Sequence, residues 1–232
     1  MKLKTALFLV MNGFASLTSS MAQSNIIQIS NQQKKVAITY SSAESKLAAE
    51  ILYSYLEKSL PNTFEIKDKN ITKSDAQIIL EIQKNNKELK DQEFILKSNS
   101  QDISLLATNL KSLKYAVYTL LEKWEFRKFT ATVSYIPKPD AFIFPKNFYQ
   151  KYQPTFAYRT LLYPDSYDQA FREWHKLDWF NDDFGLWGHT FDRLVPPKTH
   201  FKTNPKLYAL YEGKRRAESL CMTNDTVVEL LC

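Results

Sequence analysis

Val36-Ala37-Ile38-Thr39-Tyr40, then Ser41-Ser42, then the run from Ala43 to Leu60, decides how this chain is read. The first five residues are mostly β-branched or aromatic, as a pleated, half-buried strand prefers. Ser41 and Ser42 can cap a helix, although Ser42 has Ser45 rather than Glu three places on, which leaves the capping box incomplete. Behind them Leu47, Ala48, Ile51, Leu52, Tyr55 and Leu56 recur at helical spacing, and Pro61-Asn62 ends the run.

The same reading extends outward. Phe64-Glu65-Ile66 predicts a short strand, and Ala76 to Ile82 an apolar strand buried on both faces. Lys84 to Asp91 is a polar turn. Glu93 to Lys97 and Ile103 to Ala107 predict neighbouring strands joined through Ser98-Asn99-Ser100. Leu110 to Trp124 predicts a second helix, with Leu113, Val117, Leu120 and Leu121 on one face. The order implies a two-layer sheet with helices over residues 23–137. No His, Cys or Gly-rich phosphate loop falls in that stretch.

Met1 to Ala22 reads as a secretory signal: Lys2 and Lys4, an apolar run from Ala6 to about Leu17, then Ser20-Met21-Ala22 before Gln23. Export to the periplasm, cell surface or medium follows, and the run is too short to span a bilayer. The formal charge of +6 is spread along the chain with no basic stripe, so nucleic acid is not an expected partner. Cys221 and Cys232 have no neighbours at metal-ligand spacing, so no metal or other cofactor is expected. Whether the two pair is left open by the sequence.

Composition changes after Pro137. Pro137, Pro139, Pro145 and Pro154 punctuate residues 138–154, read as a linker. Between Phe142 and Tyr211 lie 19 of the chain's 32 aromatic residues, together with all three histidines, which moves the search for a site into this half. Thr155 to Arg159 reads as a strand and Ser166 to Leu177 as a helix capped by Asp165 or Ser166. Leu186 to His189 reads as a strand, Phe201 to Leu210 as holding a short helix, Ser219 to Met222 as a third strand, and Asn224 as the cap of a last helix. Alternating strands and helices open a β/α barrel. Such a barrel takes about 250 residues, whereas 155–232 supplies 232 − 154 = 78. The expected fold is therefore α/β, a small sheet-plus-helices domain followed by an incomplete (β/α) barrel.

Two resemblances bear on function. Tyr115-Ala116-Val117-Tyr118-Thr119-Leu120-Leu121-Glu122, Phe126-Arg127-Lys128-Phe129 and Ile136-Pro137 resemble the close of the N-terminal domain shared by α-glucuronidases and related to the second domain of β-hexosaminidases. Members usually have Gly before the Tyr and before the aromatic–Arg pair. Here Ser112 or Leu113, and Glu125, stand in those places. Phe156-Ala157-Tyr158-Arg159, Trp174-His175-Lys176-Leu177, Gly185-Leu186-Trp187-Gly188-His189-Thr190-Phe191, Leu194-Val195-Pro196-Pro197, Asn204-Pro205 and Leu220-Cys221 resemble a bacterial domain family of unknown function found in carbohydrate-processing proteins. The resemblances imply the N-terminal part of an exported glycoside-hydrolase-like protein. The alternative is a non-catalytic surface protein that binds a glycan or oligosaccharide.

Barrel enzymes place ligand groups at the C-terminal ends of strands. Arg159 and His189 fall there, and Tyr163 and Trp187 could stack on a sugar face. On the other reading Trp187 is core, Arg159 pairs with Asp165 or Asp192, and His189 is a satisfied buried histidine. Trp174 and His175 are placed on the barrel's outside, with His175 structural. Glycoside hydrolysis needs two carboxylates. Asp165, Glu173, Asp178, Asp182, Asp183, Asp192 and Glu218 form no recognisable pair in sequence, so catalytic acids are expected to be missing.

Overall fold

The computed structural model describes residues 25–30, 35–69, 77–179 and 190–231. They fall into two compact units, divided after Leu177. The signal read at Met1–Ala22 lies outside the described residues.

The first unit is built on a six-stranded sheet. Its strands are β2 (Val36–Tyr40), β3 (Phe64–Asp68), β4 (Gln77–Ile82), β5 (Phe94–Ser98), β6 (Ile103–Ala107) and β10 (Tyr149–Tyr152), in spatial order β10-β5-β6-β4-β2-β3. The pairs β6/β4, β4/β2 and β2/β3 are parallel, whereas β10/β5 and β5/β6 are antiparallel. Register puts Ile38, Ile78, Leu105 and Leu96 in one row across the sheet, on a single face. Helices α1 (Ala43–Ser59) and α2 (Leu110–Lys123) share the main core with that face. The opposite face carries ion pairs such as Glu65–Lys67 and Glu81–Lys69. Hence β4 is not buried on both sides as expected: Ile78 and Leu80 are buried, while Ile79 and Glu81 are partly exposed.

The caps explain the helix starts. Ser42 completes its capping box after all. Its hydroxyl accepts from the Ser45 amide at 3.1 Å, and the Ser45 hydroxyl does the work usually done by Glu, accepting from the Ser42 amide at 2.9 Å. Asn109 caps α2 by accepting from the Ser112 amide at 2.8 Å. In α1 the buried stripe is Ala48, Leu52 and Leu56, and Leu47 faces solvent.

Residues 138–154 are not a linker. They supply β9 (Ala141–Pro145), which pairs antiparallel with β1 (Ile26–Ser30), and then β10 on the edge of the main sheet. Phe142 and Phe144 of β9 are buried with Ile27 and Ile29 of β1, while Ile143 is exposed. Between them, β7 (Arg127–Lys128) and β8 (Ser134–Tyr135) form a small hairpin.

Residues 155–177 belong to the first unit rather than opening the second. Thr155–Arg159 forms no strand. The helix read at Ser166–Leu177 is a 3₁₀ turn, Pro164–Tyr167, followed by α3 (Gln169–Trp174), whose cap is Asp168, accepting from the Phe171 amide at 2.7 Å. Trp174 is buried, 5.4 Å from the ring of Tyr55 and 5.2 Å from that of Tyr118.

The second unit holds α4 (Phe191–Leu194), α5 (Pro197–His200), a 3₁₀ turn at Pro205–Leu207, β11 (Tyr208–Tyr211), β12 (Lys214–Leu220) and α6 (Asp225–Leu231). β11 and β12 are antiparallel, joined through Glu212 (φ 48°) and Gly213 (φ 73°), two left-handed residues that fit a tight hairpin turn. The strand read at Ser219–Met222 is thus the end of a hairpin strand, and among the described residues of this half no strands pair in parallel. The described residues do not display the expected barrel, and the strand read at Leu186–His189 lies outside them. Asn224 caps α6 as read, its side-chain oxygen accepting from Thr226 at 3.0 Å.

Helix α2 ends with the Phe126 amide bonded to Leu121 O and Glu125 at φ 66°, a left-handed closing position that glycine fills without strain. Glu125 is exposed, so Glu125→Gly should stabilise the protein by about 1 kcal/mol in urea unfolding. Glu93 is buried. Burial opposes its charge, but the Lys90 amide and the Lys151 ammonium, each 2.9 Å away, outweigh that and hold the carboxyl below its usual range. A depressed carboxyl stabilises the fold above its unfolded pKa of about 4.3 and loses that contribution as pH falls through the folded value. Stability should therefore fall as pH drops below about 4.5, and Glu93→Gln should flatten the fall while lowering stability at neutral pH.

Candidate functional site

A hollow of about 780 Å³ lies within the second unit. That is within the roughly 300–1,000 Å³ typical of ligand pockets. Its floor comes from the small core of this unit: Val195, Tyr208 and Leu220, all buried. Tyr208 is fixed at both ends. Its hydroxyl donates to Val195 O at 3.1 Å, and its ring meets Phe201 edge-on at 5.1 Å. Burial pushes the Tyr208 phenol upward, so it stays a neutral donor.

The rim is polar and aromatic. Asp192 comes from α4, and Glu218 and Ser219 from the end of β12. Phe191 and Met222, both about half exposed, complete it. Ionised carboxylates only accept hydrogen bonds, so Asp192 and Glu218 suit hydroxyl or ammonium donors. Phe191 and Met222 offer apolar contact beside them. Reading acids one at a time along the chain misses this pair, because a short helix and a hairpin strand bring them to one cavity only in three dimensions.

Of the residues expected to touch ligand, Arg159 and Tyr163 belong to the first unit. Arg159 is in the first unit and points its donors at the protein. Nε donates to Lys176 O at 2.8 Å, Nη1 to Phe156 O at 2.6 Å and Nη2 to Gln92 Oε1 at 2.7 Å. Gln92 returns its amide to Ala157 O at 2.7 Å. Arg159 thus clasps the irregular segment 156–159 onto the turn before β5. None of these three acceptors is an acid; Asp165 accepts from the Ala131 amide at 2.7 Å. Tyr163 is exposed at the head of the 3₁₀ turn. Trp187 and His189 lie outside the described residues. His175 is structural, as expected, with Nε2 bonded to Lys128 O at 2.9 Å. Cys221 is a half-buried free thiol, drawn below its usual pKa by hydrogen bonding to Thr223 and by Arg215, and Cys232 lies outside the described residues. Among the described residues no three His, Cys, Asp or Glu side chains gather as a metal site, and no helix is long and apolar enough to cross a membrane.

A family model described as a domain of unknown function, DUF4838, matches residues 128–232, in line with the second resemblance in the sequence. No curated protein matches the chain. Among solved structures, a family GH115 4-O-methyl-α-glucuronidase with specificity for decorated arabinogalactans is similar at 18% identity and a TM-score of 0.42, over 58% of this chain and 19% of that one. A GH20 exo-β-N-acetylglucosaminidase from Vibrio harveyi is similar at 18% identity and a TM-score of 0.39, over 58% of this chain and 18% of that one. The chain therefore spans less than a fifth of the length of these structures.

The Arg159 clasp is testable. Arg159→Ala should cost about 2 kcal/mol, because charge-assisted hydrogen bonds to three acceptors are lost. Arg159→Lys should not rescue it, since an ammonium cannot reproduce the planar fork. Urea unfolding of both variants gives the answer.

Proposed function

We propose that this chain is the N-terminal part of an exported protein that acts on glycans, and that its own share of the work is to bind saccharide in the hollow of the second unit. The observation that carries this reading is the joint lining of that hollow by Asp192, Glu218 and Ser219 beside Phe191 and Met222. A sugar presents hydroxyl donors at its edge and C–H groups on its face, and such a rim meets both. The two sequence resemblances support the glycan class. Within this reading Asp192 and Glu218 act as hydrogen-bond acceptors, and cleavage is assigned to other residues.

The test uses the full chain. Screened on a glycan array, it should retain at least one oligosaccharide. Titrated with that oligosaccharide, Asp192→Asn/Glu218→Gln should bind about tenfold more weakly, a loss of about 1.4 kcal/mol. The wild type should release nothing from aryl glycosides. An empty array would contradict the binding reading, and turnover would contradict the assignment of cleavage elsewhere.

A further inference from the structure

The hollow of the second unit carries one sign of charge. Among its described lining residues the charged side chains are Asp192 and Glu218, and no Lys, Arg or His joins them. Neither carboxylate hydrogen-bonds or pairs with a cation among the described residues. The cations of β12 are turned to other partners. Arg215 donates to Tyr208 O at 2.8 Å, and the Arg216 guanidinium lies 5.7 Å from the Tyr211 ring centroid. Arg193, next to Asp192 in α4, does not line the hollow.

Two like charges that open onto one volume repel each other, and a ligand bringing a positive charge relieves that repulsion. A second anion, such as a hexuronate, adds to it. A bare divalent cation does not fit. Calcium takes about six to eight oxygen ligands, and no three His, Cys, Asp or Glu side chains gather among the described residues. Much of the remaining lining is apolar and suits a body larger than an ion. Val195, Tyr208 and Leu220 are buried beneath it, and Phe191 and Met222 stand half exposed at the rim. An aromatic ring also attracts cations to its face, so Phe191 favours the same sign of ligand as the acids do.

We propose that the saccharide bound in this hollow carries a free ammonium group, so that its class is an amino sugar without an acetyl group. The inference rests on the saccharide reading and narrows it. An ammonium donates hydrogen bonds to the same acceptors as a hydroxyl, and in addition gains Coulomb attraction from both carboxylates. Through water, two such charges are worth about tenfold in affinity.

The test is calorimetry on the full chain with three β-1,4-linked trisaccharides of one skeleton. They carry at C2 an ammonium (glucosamine trimer), a hydroxyl (cellotriose) or an acetamide (N-acetylglucosamine trimer). At about pH 6 the amine is protonated and the carboxylates are ionised. The glucosamine trimer should bind about tenfold more tightly than either of the others at low salt, and added salt should shrink the preference. In Asp192→Asn/Glu218→Gln every trimer should bind more weakly, and the ratio of glucosamine trimer to cellotriose should fall to about one. Equal binding of these two by the wild type would overturn the inference and leave the saccharide reading standing. So would no binding of the glucosamine trimer by a protein that retains other oligosaccharides on the array. A tenfold ratio that persists in the double variant would place the preference outside the hollow and overturn the inference too. An array that retains nothing would overturn the saccharide reading itself, and this inference with it.

Discussion

The packing of Trp174 against Tyr55 and Tyr118 is the contact on which the organisation of the first unit rests. Helix α3 is only six residues long, too short to hold itself in water. It is held because its last residue drops into an aromatic seam between α1 and α2, where Phe126 also meets Tyr55 edge-on. A buried tryptophan of this kind is worth roughly 3–5 kcal/mol when cut to alanine. The rim of the seam is polar and closed. Lys114 pairs with Glu173 at 2.7 Å, and Tyr118 donates to the same carboxylate at 3.4 Å, its phenol driven upward by burial and by that neighbouring charge. With Trp174 seated and Arg159 clasping the segment ahead of it, residues 155–177 become an outer layer of the first unit.

That placement sets the family match apart from the physical division of the chain. The match begins at residue 128, inside the first unit, and runs across the division after Leu177. Residues 128–177 share its sequence pattern while their side chains pack on the sheet and helices that precede them. Among its described residues the second unit, by contrast, has a small core of five buried apolar residues and leaves Leu210, Tyr211, Met222, Val228 and Leu230 about half exposed or more. A unit of this size buries a smaller fraction of its surface than a larger domain would.

Much of the first unit was legible because its elements are long enough to show a period. The stripe Ala48, Leu52, Leu56 and the row Leu113, Val117, Leu120 are helical signals that need no partner to be read. β9 was hidden by punctuation: Phe142 and Phe144 alternate with Ile143 as a half-buried strand should, but Pro139 and Pro145 made the stretch look like a connector. Thr155–Arg159 has strand-like composition, yet Arg159 spends its donors on Gln92, Phe156 and Lys176, bonds that no local pattern announces. The site was the least legible part. Asp192 and Glu218 are ordinary surface acids in sequence, and only the fold of α4 beside the β12 strand end gives them one cavity.

The central claim is that residues 155–177 are a structural part of the first unit. Native-state hydrogen exchange tests it most directly, by comparing the amides of α3 with those of β4 and β6. The account predicts that α3 and the strands open together, with the same free energy and the same dependence on denaturant, and that Trp174→Ala uncouples them. Exchange of α3 in step with β11 and β12 of the second unit, while β4 and β6 stay protected, would contradict it.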